Sequence, residues 1–150
     1  MQPRTLLLAI GYALLVGCGV THRDIIAYQG PSQPIGQLAV VKPQMFIEVE
    51  SIDGDQSKSV VVMGATGGVD ADISLLPGKH QFVLRYRDMT KRSYETVKAD
   101  FVVLAGHRYL LWGQLAYQHS GNYLWTPNLD DMTSTPERWC LLSPRCHSPY

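Results

Sequence analysis

The chain has 150 residues with 13 basic and 13 acidic side chains, so its formal net charge at pH 7 is zero. This balance argues against a protein that binds nucleic acid, or steers an acidic substrate, through its overall charge. The length suits one ordinary domain with a hydrophobic core of its own.

The first seventeen residues have the layout of a secretory signal. A short basic start containing Arg4 is followed by an apolar-rich block over 6–16. This block is too short for a membrane-spanning helix, which needs about 20 residues. A basic start, an apolar stretch and a small residue at the cleavage site are instead typical of an export signal. The alternatives are a plain signal peptide or a short buried helix, each with a chance cysteine.

The signal ends in Leu15-Val16-Gly17-Cys18, which resembles the lipobox of bacterial lipoproteins. The resemblance implies that 1–17 is removed and that Cys18 is acylated and becomes the first mature residue. The cysteine thiolate is the nucleophile that takes the lipid, and two or more acyl chains give stable anchoring. Because Gly19 rather than Asp follows, the same resemblance implies the periplasmic face of the outer membrane.

Composition divides the mature chain. Residues 18–36 are rich in glycine and proline and are predicted to form a tether, interrupted at 24–28 by a segment with the composition of a short edge strand. From 37 onward, short β-type runs alternate with turn signals, and none shows a sustained helical period. The clearest run places Phe82 and Leu84 on one face, and Ile47, Val49, Tyr86, Val103 and Leu111 are expected to be buried with them. Turns are predicted at Asp53-Gly54 and at 76–80, and a strand is predicted over Arg108–Tyr117. About seven such strands predict an all-β sandwich over 37–118.

Two turn motifs carry a resemblance to a family. The segment Leu75 to His80, followed by a strand and by Gly106-His107-Arg108-Tyr109, resembles the pattern of small bacterial lipoproteins with PEGA-like or DUF2846-like domains. The resemblance implies an immunoglobulin- or transthyretin-like β-sandwich. It implies no active site.

The C-terminal extension, 119–150, is rich in Ser, Thr, Pro and Asn, yet it keeps too much aromatic area for a disordered tail. We expect a strand near Tyr123–Trp125 and then a coil held against the sandwich. Cys140 and Cys146 are predicted to form a disulfide, because the chain is exported. A zinc site that adds His147 is the alternative, but it lacks a fourth ligand.

The remaining polar residues suggest little chemistry. His80 and His107 both lie beside turns, with no cysteine, histidine or carboxylate at metal-ligand spacing, so a packing role is predicted. The pairs Asp70 with Asp72 and Asp130 with Asp131 are predicted to be solvated acids. We therefore expect no enzyme, metal or cofactor. The alternative is a small envelope hydrolase or metal-binding protein that uses His80, His107 and nearby acids.

Five basic residues within 14 positions, opposed only by Asp88, form what we call the basic patch. Its members are Lys79, Arg85, Arg87, Lys91 and Arg92. Strand alternation sends Arg85 and Arg87 to the face opposite Phe82. The patch is either a solvated face or a docking surface for an envelope protein or an anionic cell-wall component. The sequence thus predicts a lipid-anchored periplasmic interaction module, an accessory of an envelope assembly.

Overall fold

A computed structural model describes residues 21–62, 69–87, 93, 95–117 and 123–138. Nine strands lie within these residues: β1 (Thr21–Ile26), β2 (Ala39–Pro43), β3 (Ile47–Ile52), β4 (Val60–Val61), β5 (Val69–Leu75), β6 (Gly78–Tyr86), β7 (Val97–Val103), β8 (Arg108–Tyr117) and β9 (Tyr123–Asp131). Short 3-10 turns lie at Ile35–Gln37 and Gln56–Lys58, and residues 136–138 are helical. None of the helical segments in these ranges is long and apolar enough to cross a bilayer. The all-β prediction is confirmed.

The strands form two sheets. Sheet A has five strands in the order β1-β5-β2-β8-β9, and sheet B has four in the order β4-β3-β6-β7. β1 runs parallel to β5 and β2 runs parallel to β8, whereas the other neighbouring pairs are antiparallel. Side chains alternate along each strand, so each sheet presents one apolar face to a shared core. The architecture is sandwich-like.

The core follows the predicted alternation closely. Of seven residues expected inside, six are almost fully buried and Tyr86 is partly buried. The six are Ile47, Val49, Phe82, Leu84, Val103 and Leu111. Phe82 also packs edge-on against the ring of Phe101, at 5.8 Å between centroids. Both sheets contribute to one apolar cluster, which is the condition for a stable two-layer domain.

The folded unit is longer than the predicted 37–118. β1 overlaps the short edge strand expected at 24–28 within the predicted tether; it pairs with β5 along its whole length, and Ile25 is buried in the core. β9 extends past the expected Tyr123–Trp125 strand and pairs with β8 as far as Asp131. Pro127 is tolerated there because an edge strand has one side without a ladder partner. Both strands therefore belong to the domain.

The connections between strands lie at two opposite ends of the sandwich. The proximal end is the one at which β1 begins; it also carries the β2–β3 connection and the Tyr117–Tyr123 end of the β8–β9 hairpin, where the two strands are connected. The distal end carries the β1–β2, β5–β6 and β7–β8 connections. Two predicted turns lie at the distal end, the Asp53-Gly54 turn and the turn before Gly78. Asp53, Gly54 and Gly78 all have positive φ, of 52°, 82° and 140°.

Candidate functional site

Charged side chains gather on the outer face of sheet A where β1, β5 and β2 meet. The parallel register pairs His22 with Asp70 and Asp24 with Asp72, and this places all four side chains on the face opposite the buried Ala71. Lys42 of β2 joins them. We call this group the outer cluster; its members are His22, Asp24, Lys42, Asp70 and Asp72.

Lys42 is the most deeply buried charge of the outer cluster, with 3% of its surface exposed. Its Nζ lies 2.6 Å from Asp70 Oδ1 and 3.3 Å from Asp72 Oδ1. A buried ammonium without a carboxylate partner is very unfavourable, so the two aspartates make this position tolerable for lysine. Burial raises the pKa of Asp70, but hydrogen bonds from Lys42 and His22 outweigh it and hold that pKa below its ordinary value.

His22 connects three of the carboxylates. Its Nδ1 lies 2.9 Å from Asp70 Oδ2, and its Nε2 lies 3.2 Å from Asp24 Oδ1 and 3.8 Å from Asp72 Oδ2. Ionised carboxylates only accept hydrogen bonds, so both ring nitrogens must carry hydrogen for both short contacts to be hydrogen bonds. The ring thereby connects β1 to β5 through its contact with Asp70 as well as through the backbone ladder.

The outer cluster also contains a geometry that suits a metal ion. His22 Nε2 and one carboxylate oxygen each from Asp24 and Asp72 lie within 4.8 Å of one another. Asp70 on Nδ1 is the kind of carboxylate partner that orients metal-binding histidines. Lys42 acts against a cation here, because its ammonium lies 3.3 Å from Asp72. An ion network is therefore the simpler use of these side chains.

The two histidines weighed from the sequence lie at the distal end in separate contacts. His80 Nδ1 lies 2.6 Å from Asp53 Oδ2, and its Nε2 lies 2.8 Å from the Leu76 carbonyl oxygen, so the ring joins two turns. His107 Nδ1 lies 2.7 Å from Asp131 Oδ2 and joins the start of β8 to the end of β9. Each ring holds the ends of two elements together.

Sequence reasoning missed the outer cluster. Asp70 and Asp72 were expected to be solvated, but their side chains are each only 13% exposed, because Lys42 and His22 pack over them. The local signal was the spacing by two within His22-Arg23-Asp24 and within Asp70-Ala71-Asp72, which puts each pair on one face of a strand. The parallel pairing that joins them is not a local feature, and no short-range pattern predicts it.

The basic patch is mixed with acidic residues. Arg85 lies on the outer face of sheet B, as alternation predicted, and Lys79 lies on the same face. Lys79 Nζ is 2.9 Å from Asp100, and Arg85 Nε is 2.6 Å from Glu50. Arg85 Nη1 also donates to the Ser93 carbonyl at 3.0 Å. Arg87 follows at the end of β6, where its backbone N–H donates to Phe46 O. Lys91 and Arg92 lie outside the described residues.

The signal peptide 1–17, the acylated Cys18 and the predicted pair Cys140 and Cys146 also lie outside the described residues. The lipid and the disulfide therefore stay predictions. Comparison of the chain with family models, with curated proteins and with solved structures gave no match.

Proposed function

We propose that this protein is a lipid-anchored binding module of the bacterial envelope, held on the periplasmic face of the outer membrane through Cys18. The observation that carries the proposal is the sequence Leu15-Val16-Gly17-Cys18 at the end of an export-type signal. The fold is compatible with it, since the sandwich begins at Thr21, directly after the proposed attachment point. The resemblance to PEGA-like and DUF2846-like lipoprotein domains belongs to the same proposal.

A binding role, without catalysis, is supported by what the polar residues do. Three described histidines contact a carboxylate and in this way join two elements of the fold. They are His22, His80 and His107. The alternation of charge on the outer face of sheet B, with Lys79 beside Asp100 and Arg85 beside Glu50, resembles a protein-docking face more than a surface for a polyanion. We propose an envelope protein as the partner.

The anchor is tested by metabolic labelling with a fatty-acid analogue. Wild-type protein is expected to carry the label and to fractionate with membranes. Cys18→Ala is expected to lose the label, because no thiolate remains to accept the lipid. Cys140→Ala is the matched control and is expected to keep it. Label retained on Cys18→Ala would contradict the lipoprotein assignment.

The partner surface is tested by cross-linking in intact cells. Arg87→Glu is expected to weaken a salt-sensitive contact to an envelope protein, whereas Arg138→Glu, at an exposed position at the end of the described chain, serves as a control for charge alone. Loss of binding to lipopolysaccharide or peptidoglycan, with protein cross-links unchanged, would favour an anionic polymer as the ligand.

The second candidate function is metal binding. The sequence suggested His80 and His107 for this role, whereas the geometry favours His22. The supporting observation is the set of ligand atoms on His22, Asp24 and Asp72. Titration of the purified mature protein with Zn²⁺ tests it by calorimetry. Saturable binding that His22→Ala abolishes and His80→Ala preserves would favour this candidate over a purely structural ion network.

A further inference from the structure

The connection between the proposed lipid and sheet A is very short. Thr21 is already paired with Val69 at the start of β1, so only Gly19 and Val20 separate it from Cys18. Three residue steps span at most about 10 Å. A long tether over 18–36 is ruled out, because β1 takes up 21–26. The proximal end of the sandwich must therefore lie close to any bilayer that holds the lipid.

The β8–β9 hairpin reaches beyond the start of β1 at this end. In the register of sheet A, Thr21 of β1 lies at the same height along the strands as Gly113 of β8. The pairs that set this register are Thr21 with Val69, Val41 with Ile73, and Val41 with Tyr109. β8 continues past Gly113 to Tyr117, and four more residues add about 13 Å. The Tyr117–Tyr123 end of the hairpin thus extends at least as far from Thr21 as an acylated Cys18 can reach.

The part of the hairpin nearest the anchor exposes apolar side chains. Leu115 is 44% exposed and Leu124 is 55% exposed, and Met45 in the β2–β3 connection is exposed at the same end. Removing these apolar side chains from water is favourable.

We infer that the β8–β9 hairpin rests on the membrane that holds Cys18, with Leu115 and Leu124 in the headgroup region. The domain then stands on the bilayer in one orientation, with its distal end turned toward the periplasm. The inference rests on the proposed lipid anchor. It adds a second point of membrane contact, which restricts rotation of the domain about the short connection to the lipid.

The orientation is measured by NMR on the lipidated mature protein in nanodiscs of phosphatidylethanolamine and phosphatidylglycerol that carry a gadolinium-chelating lipid. Amide signals of 113–117 and 123–125 are expected to be lost through paramagnetic broadening. Signals of Leu104 and Gly106 at the distal end are expected to persist. Equal broadening at both ends, or broadening confined to the distal end, would overturn the inference.

Matched variants separate membrane contact from other causes. Leu115→Asp with Leu124→Asp is expected to abolish the selective broadening of the hairpin. Ile35→Asp with Leu104→Asp, which changes two exposed apolar residues at the distal end, is expected to preserve it. Thermal unfolding of each variant checks that the fold is kept. A hairpin variant with unchanged broadening but without its cross-links to an envelope protein would make the hairpin a protein-binding surface and overturn the membrane contact.

The failures of the two proposals are distinguishable. The mass of the same sample reports whether Cys18 carries lipid. Lipid on Cys18 with no selective broadening defeats the orientation alone and leaves the anchor standing. Absence of lipid from Cys18 defeats the anchor, and the orientation falls with it.

Discussion

His22 Nδ1 lies 2.9 Å from Asp70 Oδ2, so the strand that follows the proposed lipid anchor is tied to the neighbouring strand by a side-chain hydrogen bond. β1 is a six-residue edge strand, and short edge strands are weakly held by their ladder alone. The outer cluster supplies additional attachment at this point. Its stability therefore bears on how firmly the domain is connected to the proposed lipid anchor.

Acid is expected to weaken this attachment through Asp70. Its pKa in the folded protein lies below the ordinary value, despite the opposing effect of burial, because Lys42 and His22 bond to it. The carboxylate thus stabilises the fold at pH above about 4, the unfolded value, and the contribution is lost as pH falls through the lower folded pKa. Urea unfolding should show Asp70→Asn destabilised at pH 7, with the difference from wild type shrinking below pH of about 4.

Asp130→Asn, at an exposed position of β9, is the control for this experiment. It should unfold like the wild type at both pH values. A difference between wild type and Asp70→Asn that stays constant from pH 7 to pH of about 3 would contradict the assigned role of Asp70.

Lys42→Met is expected to destabilise the fold by about 3 kcal/mol, because it keeps the side-chain volume but leaves two close carboxylates without their buried cation. Adding Asp70→Asn should recover part of the loss, since one of the uncompensated charges is then removed. Chemical denaturation of the two single variants and the double variant measures the coupling. Strictly additive effects would show that Lys42 and Asp70 do not stabilise each other.

The fold was largely predictable because β-strand alternation is local. The alternation of Phe82 and Leu84 with Arg85 placed β6 and its faces correctly, and β8 was predicted with its observed bounds, Arg108–Tyr117. Turn chemistry at Asp53-Gly54 marked a chain reversal. These signals arise within a few residues of each other, so a sequence alone displays them.

The outer cluster and the extent of the domain were not predictable in the same way. His22 and Asp70 are 48 positions apart, and they meet only because β1 adds to β5 in parallel. A short edge strand was expected at 24–28, but its partner β5 was not predictable from local sequence. Residues 126–131 carry few β-type signals of their own, and long-range pairing with β8 overrides local propensity there.

Gly113→Ala is expected to destabilise the protein by about 1–3 kcal/mol through overpacking. A Cβ at this position would lie 3.1 Å from Trp125 Cε3 and 3.2 Å from Ile47 Cδ1, and both neighbours belong to the buried core. Gly36→Ala is the matched control, because a Cβ there has nothing within 4 Å. Thermal or chemical unfolding should separate the two variants. Equal stability would mean that the core near Trp125 yields to the extra methyl group.

Arg85→Glu is expected to cost about 2 kcal/mol, because it removes a half-buried donor from Glu50 and from the Ser93 carbonyl oxygen. From the sequence, Arg85 was expected to be a surface charge whose reversal spares the fold. The charge swap Arg85→Glu with Glu50→Arg should recover part of the loss. Arg87→Glu alone should change the unfolding temperature little. If Arg85→Glu unfolds at the wild-type temperature, the ion pair does not contribute to stability.

The central claim is that Cys18 anchors the domain to a membrane, and the intact mass of the protein extracted from membranes tests it most directly. The account predicts a chain that begins at Cys18, lacks residues 1–17 and carries the added mass of a diacylglyceryl group and a further acyl chain. It also predicts that detergent is needed for extraction. A chain that retains 1–17, or one that begins elsewhere with an unmodified amino terminus, would contradict the account.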